Sequence, residues 1–265
     1  MTSSQPTDGA NPSQGSVAPR RYDLDWLRFI AFAVLIFYHV GMFYVSWDWH
    51  VKSRYASAAA EPLMQLVNPW RLALLFFISG VAIRFASDRS ASRWRFAASR
   101  LFRLGLPVVF GLFVLVMPQA YYELRQDGLI ESGILAFYPD YLAIDQRFPS
   151  PTPTWNHLWY LVYLLVYILI TLPFSPWLRA IANSRLFRVV AGSPVSLLVL
   201  VILPFVVFEL ALSPRFPTTH NLVWDWANHA HHLSIFLLGF IAAKHTVFWR
   251  SVDRALLPSA LLVAL

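Results

Sequence analysis

Cysteine is missing from the chain altogether, which excludes disulfides, thiolate metal sites and thiol nucleophiles. Charge is scarce too. Asp, Glu, Lys and Arg make up 13% of the 265 residues against 57% hydrophobic, too few to give a soluble domain its polar surface. The net charge of +7 is spread over segments that flank hydrophobic runs, and no basic surface interleaved with aromatics exists, so nucleic acid is excluded as a partner. Residues 1–20 contain no apolar stretch of the kind a cleaved signal peptide needs. They are rich in Ser, Pro, Gln and Gly and read as a disordered tail. No internal repeat marks an inverted-repeat transporter.

What is present is length in hydrophobic runs. They cover residues 26–45, 70–85, 101–121, 158–172, 195–212 and 233–249, each near the roughly 20 residues that cross a bilayer as a helix. The second and fourth are short and are expected to recruit flanking residues such as Pro69 and His157. A seventh run, 255–265, is half a span long. The expected fold is an all-α polytopic transmembrane bundle of six complete spans and a partial seventh, with the chain cut short. Residues 1–20 form its cytoplasmic tail, and 21–265 form one transmembrane domain, incomplete at its C-terminus.

Basic residues set the orientation. Arg20 and Arg21 precede the first span; Arg84, Arg89, Arg93, Arg95, Arg100 and Arg103 crowd the second connection; Arg179, Arg185 and Arg188 lie in the fourth, Lys244, Arg250 and Arg254 in the sixth. The odd-numbered connections hold Asp48, Glu61, Glu123, Asp127, Glu131, Asp140, Asp145 and Asp225. The N-terminus is therefore expected in the cytoplasm, with His39 and His157 toward the outer face and Arg28, Arg100 and Arg103 at the inner one. Residues 148–154, with Pro149, Pro151 and Pro153, are expected as an extended cover over the outer face. Trp47, Trp49, Trp70, Trp155, Trp159, Trp224, Trp226 and Trp249 cluster at span ends, most of them read as belt residues.

Arg28 and His39 stand eleven positions apart in the first run, almost three helical turns and roughly 16 Å along the axis. With Asp25, Phe32 and Leu35 they share one face, and Asp25 can pair with Arg28 at i, i+3. Two readings stand for this stripe: a functional line of ionisable groups at membrane depth, or a snorkelling anchor and a hydrogen-bonded interior histidine. Arg100 and Arg103 share a face at the start of the third span, and two forked donors there suit a phosphate group. His157, in His157-Leu158-Trp159-Tyr160-Leu161, can flank one outward pocket with His39. Glu209 is an intramembrane acid in the outer half of the fifth span. The run His229-Ala230-His231-His232 lacks the i, i+4 spacing of a helical metal site, so no metal is expected.

Arg28 and His39 on the first span, Phe76-Phe77-Ile78-Ser79-Gly80 on the second, Arg100-x-x-Arg103 before the third and His157-Leu-Trp-Tyr-Leu before the fourth together resemble the membrane-bound acyltransferase 3 family. The resemblance is nearest to members that modify periplasmic glucans in Gram-negative bacteria, with O-antigen and exopolysaccharide O-acetyltransferases sharing the pattern. It implies a multi-pass inner-membrane enzyme that moves an acetyl or succinyl group from cytosolic acyl-CoA, a co-substrate and not a bound cofactor, to a hydroxyl of an extracytoplasmic carbohydrate. On that reading Arg28, Arg100 and Arg103 hold the CoA phosphates and His39 is the general base. His157, Trp159 or Tyr160 supplies a donor to the oxyanion; Asp25 and Glu209 are supporting acids. Two rivals remain: an exporter of polysaccharide or lipid-linked sugar that makes no covalent change, and a cytochrome holding haem between His39 and His157.

Overall fold

A narrow seam of α1 (Tyr22–Met42) faces inward. Leu24, Ala31, Tyr38 and, just past the helix, Val45 recur at heptad spacing and are buried, whereas Trp26, Phe29, Ile30, Ile36, Phe37 and Val40 are exposed. Large exposed apolar side chains on a helix mark its lipid-facing side. The computed structural model describes residues 21–144, 147–149 and 151–264; the tail expected over 1–20, Asp145 and residue 265 lie outside them.

Among the described residues the fold is all helical, with no strand. Five segments are long and apolar enough to cross a membrane: Tyr22–Met42, Ala58–Asp88, Arg93–Gln126, Asn156–Asn183 and Pro194–Ala211. A bent pair, Trp226–Ala242 with Thr246–Leu261, raises the number to six if it is one span. The second and fourth segments do extend past their apolar runs. α2 (Glu61–Asp88) carries Pro69 within it, and α6 (Trp159–Asn183) follows a 3-10 turn holding His157.

The third segment joins α3 (Arg93–Phe110) to α4 (Val116–Gln126) through one π-helical stretch, Gly111–Leu115. A side chain at Gly111 would come within 2.4 Å of Leu158, so the widened turn sits where α3 lies against the start of α6. The long connection over 122–156 holds α5 (Ile134–Leu142), whose Phe137 and Tyr141 are buried against Tyr121 and Leu124 of α4. The sequence reading assigns no helix to this stretch. α7 (Arg185–Ala191) and α8 (Pro194–Ala211) follow. Ser92, Ser184 and Ser193 start α3, α7 and α8, each hydroxyl oxygen accepting the N–H three residues on.

The apolar run 233–249 is not one helix. α9 (Trp226–Ala242) stops there, the chain turns by 117°, and α10 (Thr246–Ala264) takes in the rest of it together with the expected partial seventh run. The cause is polar. Lys244 reaches Asp88, at 2.6 Å, and the His245 ring accepts the Phe248 N–H at the start of α10.

α2 is the centre of the bundle, flanked by α1 and packed most extensively on α9. A Cβ on Gly80 would lie 2.0 Å from the Phe236 carbonyl oxygen, and one on Gly239 would lie 2.2 Å from that of Phe77. At this crossing the two backbones touch, as small residues allow between membrane helices. Phe76, Tyr160, Tyr163, Tyr167, Phe236 and Phe240 fill the core beside it.

At the end of the bundle where basic residues collect, Asp88 joins three elements. Its carboxylate accepts from Arg84 of α2 (2.9 Å), Arg179 of α6 (2.8 and 3.0 Å) and Lys244 (2.6 Å). Arg84 is buried, so removing the acid strands a cation away from water. Asp88→Asn is expected to cost about 2–3 kcal/mol, less than a fully buried pair because Arg179 and Lys244 are partly exposed. The midpoint of thermal unfolding in detergent measures this, and an unchanged midpoint would refute the role of Asp88 as a tie.

Candidate functional site

A cavity of about 980 Å³ opens at the end of the bundle opposite Asp88. Its wall takes His39 and Tyr38 from α1, Trp49 from the following loop, Asn68 and Arg71 from α2, Asn156 and His157 from the entry to α6, Trp159 and Tyr160 from α6, and His231 and His232 from α9. Pro151, Pro153 and Thr154 also line it, so the later part of the proline-rich segment borders the cavity.

His39 and His157 come together here, their ring centroids 6.0 Å apart and their planes at 69°. The Trp49 ring lies 5.7 Å from that of His39. His39 Nδ1 is 2.7 Å from the Leu35 carbonyl oxygen, one turn back along α1. A carbonyl oxygen only accepts, so Nδ1 carries the hydrogen and the neutral ring keeps its lone pair on Nε2. The backbone of α1 thus fixes the tautomer that a general base requires.

Below the two histidines the floor is aromatic. Phe76 stacks on His232, with centroids 4.7 Å apart, and packs on Tyr160 and Trp159. The Tyr160 hydroxyl is 2.9 Å from Ser79 Oγ and 3.4 Å from the Leu75 carbonyl oxygen, so two of the sequence motifs meet. Trp159 stacks on His220 at 4.4 Å. Asp225, fully buried, holds this rim: it accepts from Tyr163 (2.5 Å), Asn228 (2.7 Å) and the Thr219 N–H (3.0 Å).

Arg28, Arg100 and Arg103 gather at the basic end, where Arg100 stands within electrostatic reach of both others. The Arg100 guanidinium carbon lies 4.7 Å from the Phe96 ring, and its Nε is buried with no hydrogen-bond partner. Arg28 stands over Phe32, its guanidinium carbon 5.7 Å from the ring centroid. Asp25 is exposed on the first turns of α1. Glu209 is exposed on α8, accepts a hydrogen bond from Ser213 at 2.9 Å and is not part of the cavity wall.

The histidines of the 229–232 run have separate partners. His229 stacks on Tyr163, accepts from the Tyr167 hydroxyl and donates to the Leu222 carbonyl; His231 stacks on Phe205 and His232 on Phe76. Among the described residues no three His, Cys, Asp or Glu are grouped to hold a metal ion. Trp49, Trp155 and Trp159 line the cavity, so these three span-end tryptophans serve its wall.

Sequence reasoning missed Arg71 and Asn156. Arg71 is only 8% exposed; its guanidinium carbon is 3.4 Å from the centroid of the Tyr38 ring, and it donates to the Asn68 carbonyl oxygen at 2.8 Å. The signal was there, a cation at the start of the second apolar run. Asn156 has a φ of 36° and a buried side-chain NH2 with no hydrogen-bond partner. Nothing in its sequence context marks it.

The family description "Acyltransferase domain", that of acyltransferase 3, matches residues 21–265. The chain is also similar to "Glucans biosynthesis protein C" of Salmonella paratyphi B, Salmonella heidelberg and Salmonella enteritidis PT4. Each is 24% identical over 163 residues, 61% of this chain and 41% of the relative. The matched stretch thus spans about two fifths of the length of these curated relatives. No solved structure matches the chain.

Proposed function

The chain belongs to the acyltransferase 3 family, and from that premise we propose that it carries an acyl group, acetyl or succinyl, from cytosolic acyl-CoA to a hydroxyl of an extracytoplasmic carbohydrate. Its place is the bacterial inner membrane, with the N-terminus and the arginine group in the cytosol and the cavity on the far side. The observation that carries this reading is His39: an imidazole whose Nδ1–H is held by the Leu35 carbonyl, leaving Nε2 as the nitrogen to accept a proton at a cavity with a second histidine 6.0 Å away. A glucan as acceptor is supported by the name of the Salmonella relatives.

In the step proposed, the acceptor hydroxyl loses its proton to His39 Nε2 as its oxygen bonds to the thioester carbon. The C–S bond then breaks, and the proton passes to the departing thiolate. An ester and free coenzyme A result. The carbonyl oxygen, negative during the attack, needs a donor. The unpartnered Asn156 NH2 in the same wall suits that need, whereas the Tyr160 hydroxyl is already engaged with Ser79. Trp49, Trp155 and Trp159 offer aromatic faces for a sugar, and Arg28, Arg100 and Arg103 hold the CoA phosphates at the inner mouth.

Mass spectrometry of cell-envelope glycans from a deletion strain tests the reading. Acyl mass increments present in the parent are expected to vanish on deletion and to return with the intact gene. A strain carrying Arg100→Ala and Arg103→Ala is expected to recover few of them, because losing charge-assisted contacts of this kind weakens binding by roughly 10- to 100-fold. Identical glycan masses in parent and deletion would overturn the proposal; glycan reduced in amount and unchanged in mass would point to an exporter.

A further inference from the structure

The connection between α8 and α9 carries a hydrogen-bond network for which the proposed chemistry has no task. Three consecutive carbonyl oxygens in it meet side chains from outside the loop. That of His220 accepts the Trp155 Nε1–H at 2.9 Å, that of Asn221 lies 3.1 Å from the Tyr163 hydroxyl, and that of Leu222 accepts from His229 Nε2 at 2.9 Å. Beneath them the fully buried Asp225 carboxylate accepts the Thr219 N–H at 3.0 Å, the Tyr163 hydroxyl at 2.5 Å and the Asn228 amide at 2.7 Å. Surface loops are ordinarily loosely held. This one is tied at each residue from 219 to 222. His220, at φ 54°, and Trp224, at φ 73°, are also kept in the left-handed region, a strained shape that persists only where the surroundings over-determine it.

What these ties hold in place is the His220 ring. It lines the cavity and stacks on Trp159, with ring centroids 4.4 Å apart. Among the described residues neither of its ring nitrogens has a hydrogen-bond partner. A neutral imidazole offers one N–H and one lone pair, the complement of a hydroxyl, which also gives and takes a hydrogen bond. Thr218, Thr219 and Asn221, beside it in the cavity wall, are uncharged as well. We propose that His220 hydrogen-bonds a hydroxyl group of a substrate in the cavity, and that Asp225 is a positioning residue that sets the reach of this ring through the loop. This rests on the acyl-transfer reading above and adds a binding residue to it. Asp225 is fully buried with its three hydrogen bonds all to the protein, so it acts through the loop and not on a substrate. Sugar hydroxyls and the hydroxyl of the pantetheine arm share one chemistry. Which KM responds decides between them.

The test uses the full chain in native membranes, with acyl-CoA as donor and glucan isolated from the deletion strain as acceptor. His220→Gly removes the ring and suits the left-handed backbone, so the fold is expected to hold. It should raise KM for one substrate about 3- to 10-fold, the worth of a neutral hydrogen bond, and leave kcat near the parental value, as a loss of ground-state binding does. A rise for glucan puts the hydroxyl on the acceptor, and a rise for acyl-CoA puts it on the donor. Asp225→Ala should raise the same KM, yet add little to it when combined with His220→Gly, because both changes act through one contact. Asp225→Asn, which keeps an oxygen for the Thr219 N–H, should recover part of the loss. Parental KM for both substrates in the His220→Gly protein overturns the role of the ring, and full additivity in the double variant overturns that of Asp225; either result leaves acyl transfer standing. Should Asp225→Ala fail to fold, the same cycle with Tyr163→Phe decides. A parent that transfers no acyl group overturns the acyl-CoA reading and the role of His220 with it.

Discussion

His39→Ala is expected to lower kcat for acyl transfer by about 10²- to 10⁴-fold, the usual worth of a general base, with little change in KM for acyl-CoA. In the proposed mechanism the imidazole touches the reacting hydroxyl, while the coenzyme is held by arginines at the other end of the bundle, so chemistry and donor binding would be separable. Folding should survive: the His39 ring is only partly buried, and the hydrogen bond it gives up is to the carbonyl of Leu35, within α1 itself. His39→Gln, which keeps a side chain near that carbonyl and has no basic nitrogen, should be as inactive as the alanine variant. The measurement is initial-rate transfer from acyl-CoA to glucan by matched amounts of membrane-inserted protein. If the alanine variant kept parental kcat, His39 would have no catalytic part and the mechanism would need another base.

A second large effect is expected at the α2–α9 crossing. Gly80→Ala places a methyl group 2.0 Å from the Phe236 carbonyl oxygen and 2.9 Å from the Phe240 nitrogen. These are backbone atoms of a helix, which cannot swing aside as a side-chain tip can. The two helices must separate along their most extensive contact, and the packing of Phe76 and Phe236 in the core loosens with them. Overpacking of this kind costs about 1–3 kcal/mol where side chains can give, and the upper end or beyond is expected here. Gly239→Ala, 2.2 Å from the Phe77 carbonyl oxygen, should behave alike. The pair should not add, because one separation of the helices relieves both contacts. Thermal unfolding and size-exclusion profiles in detergent give the answer, and a Gly80→Ala protein with parental stability would contradict the close approach.

The helical class and the approximate position of the first five spans were legible because an uninterrupted apolar run of membrane length is rarely tolerated outside a bilayer. The stripe on α1 was legible for a related reason: Arg28 and His39 stand out against apolar neighbours, and helical periodicity alone says that they share a face. The break after Ala242 was harder to read. Lys244 and His245 are only two polar residues in a long run, and what turns the chain there is Asp88, more than 150 residues earlier in sequence. α5 escaped notice since nine residues bounded by turns give little periodic signal, and its stability comes from Phe137 and Tyr141 packing on α4.

Within the site, the same limit separates what was read from what was not. Arg71 stands at the edge of an apolar run, where sequence position alone does not set it apart; its burial against Tyr38 does. Trp49, Trp155 and Trp159 share the span-end position of belt tryptophans, and whether such a ring faces lipid or a cavity depends on neighbours brought in from distant helices. Asn156 draws its interest from a left-handed φ and an unpaired amide, neither of which has a counterpart in composition or spacing.

The aromatic floor beneath the cavity also has an electrical side. Phe76 is fully buried and Tyr160 nearly so, which makes this layer a dry partition below a pocket open to solvent. In an energised bilayer the pocket would take the potential of the medium it opens to, and the voltage would fall mainly across that partition. A unit charge carried through it would gain or lose about 2.3 kcal/mol per 100 mV.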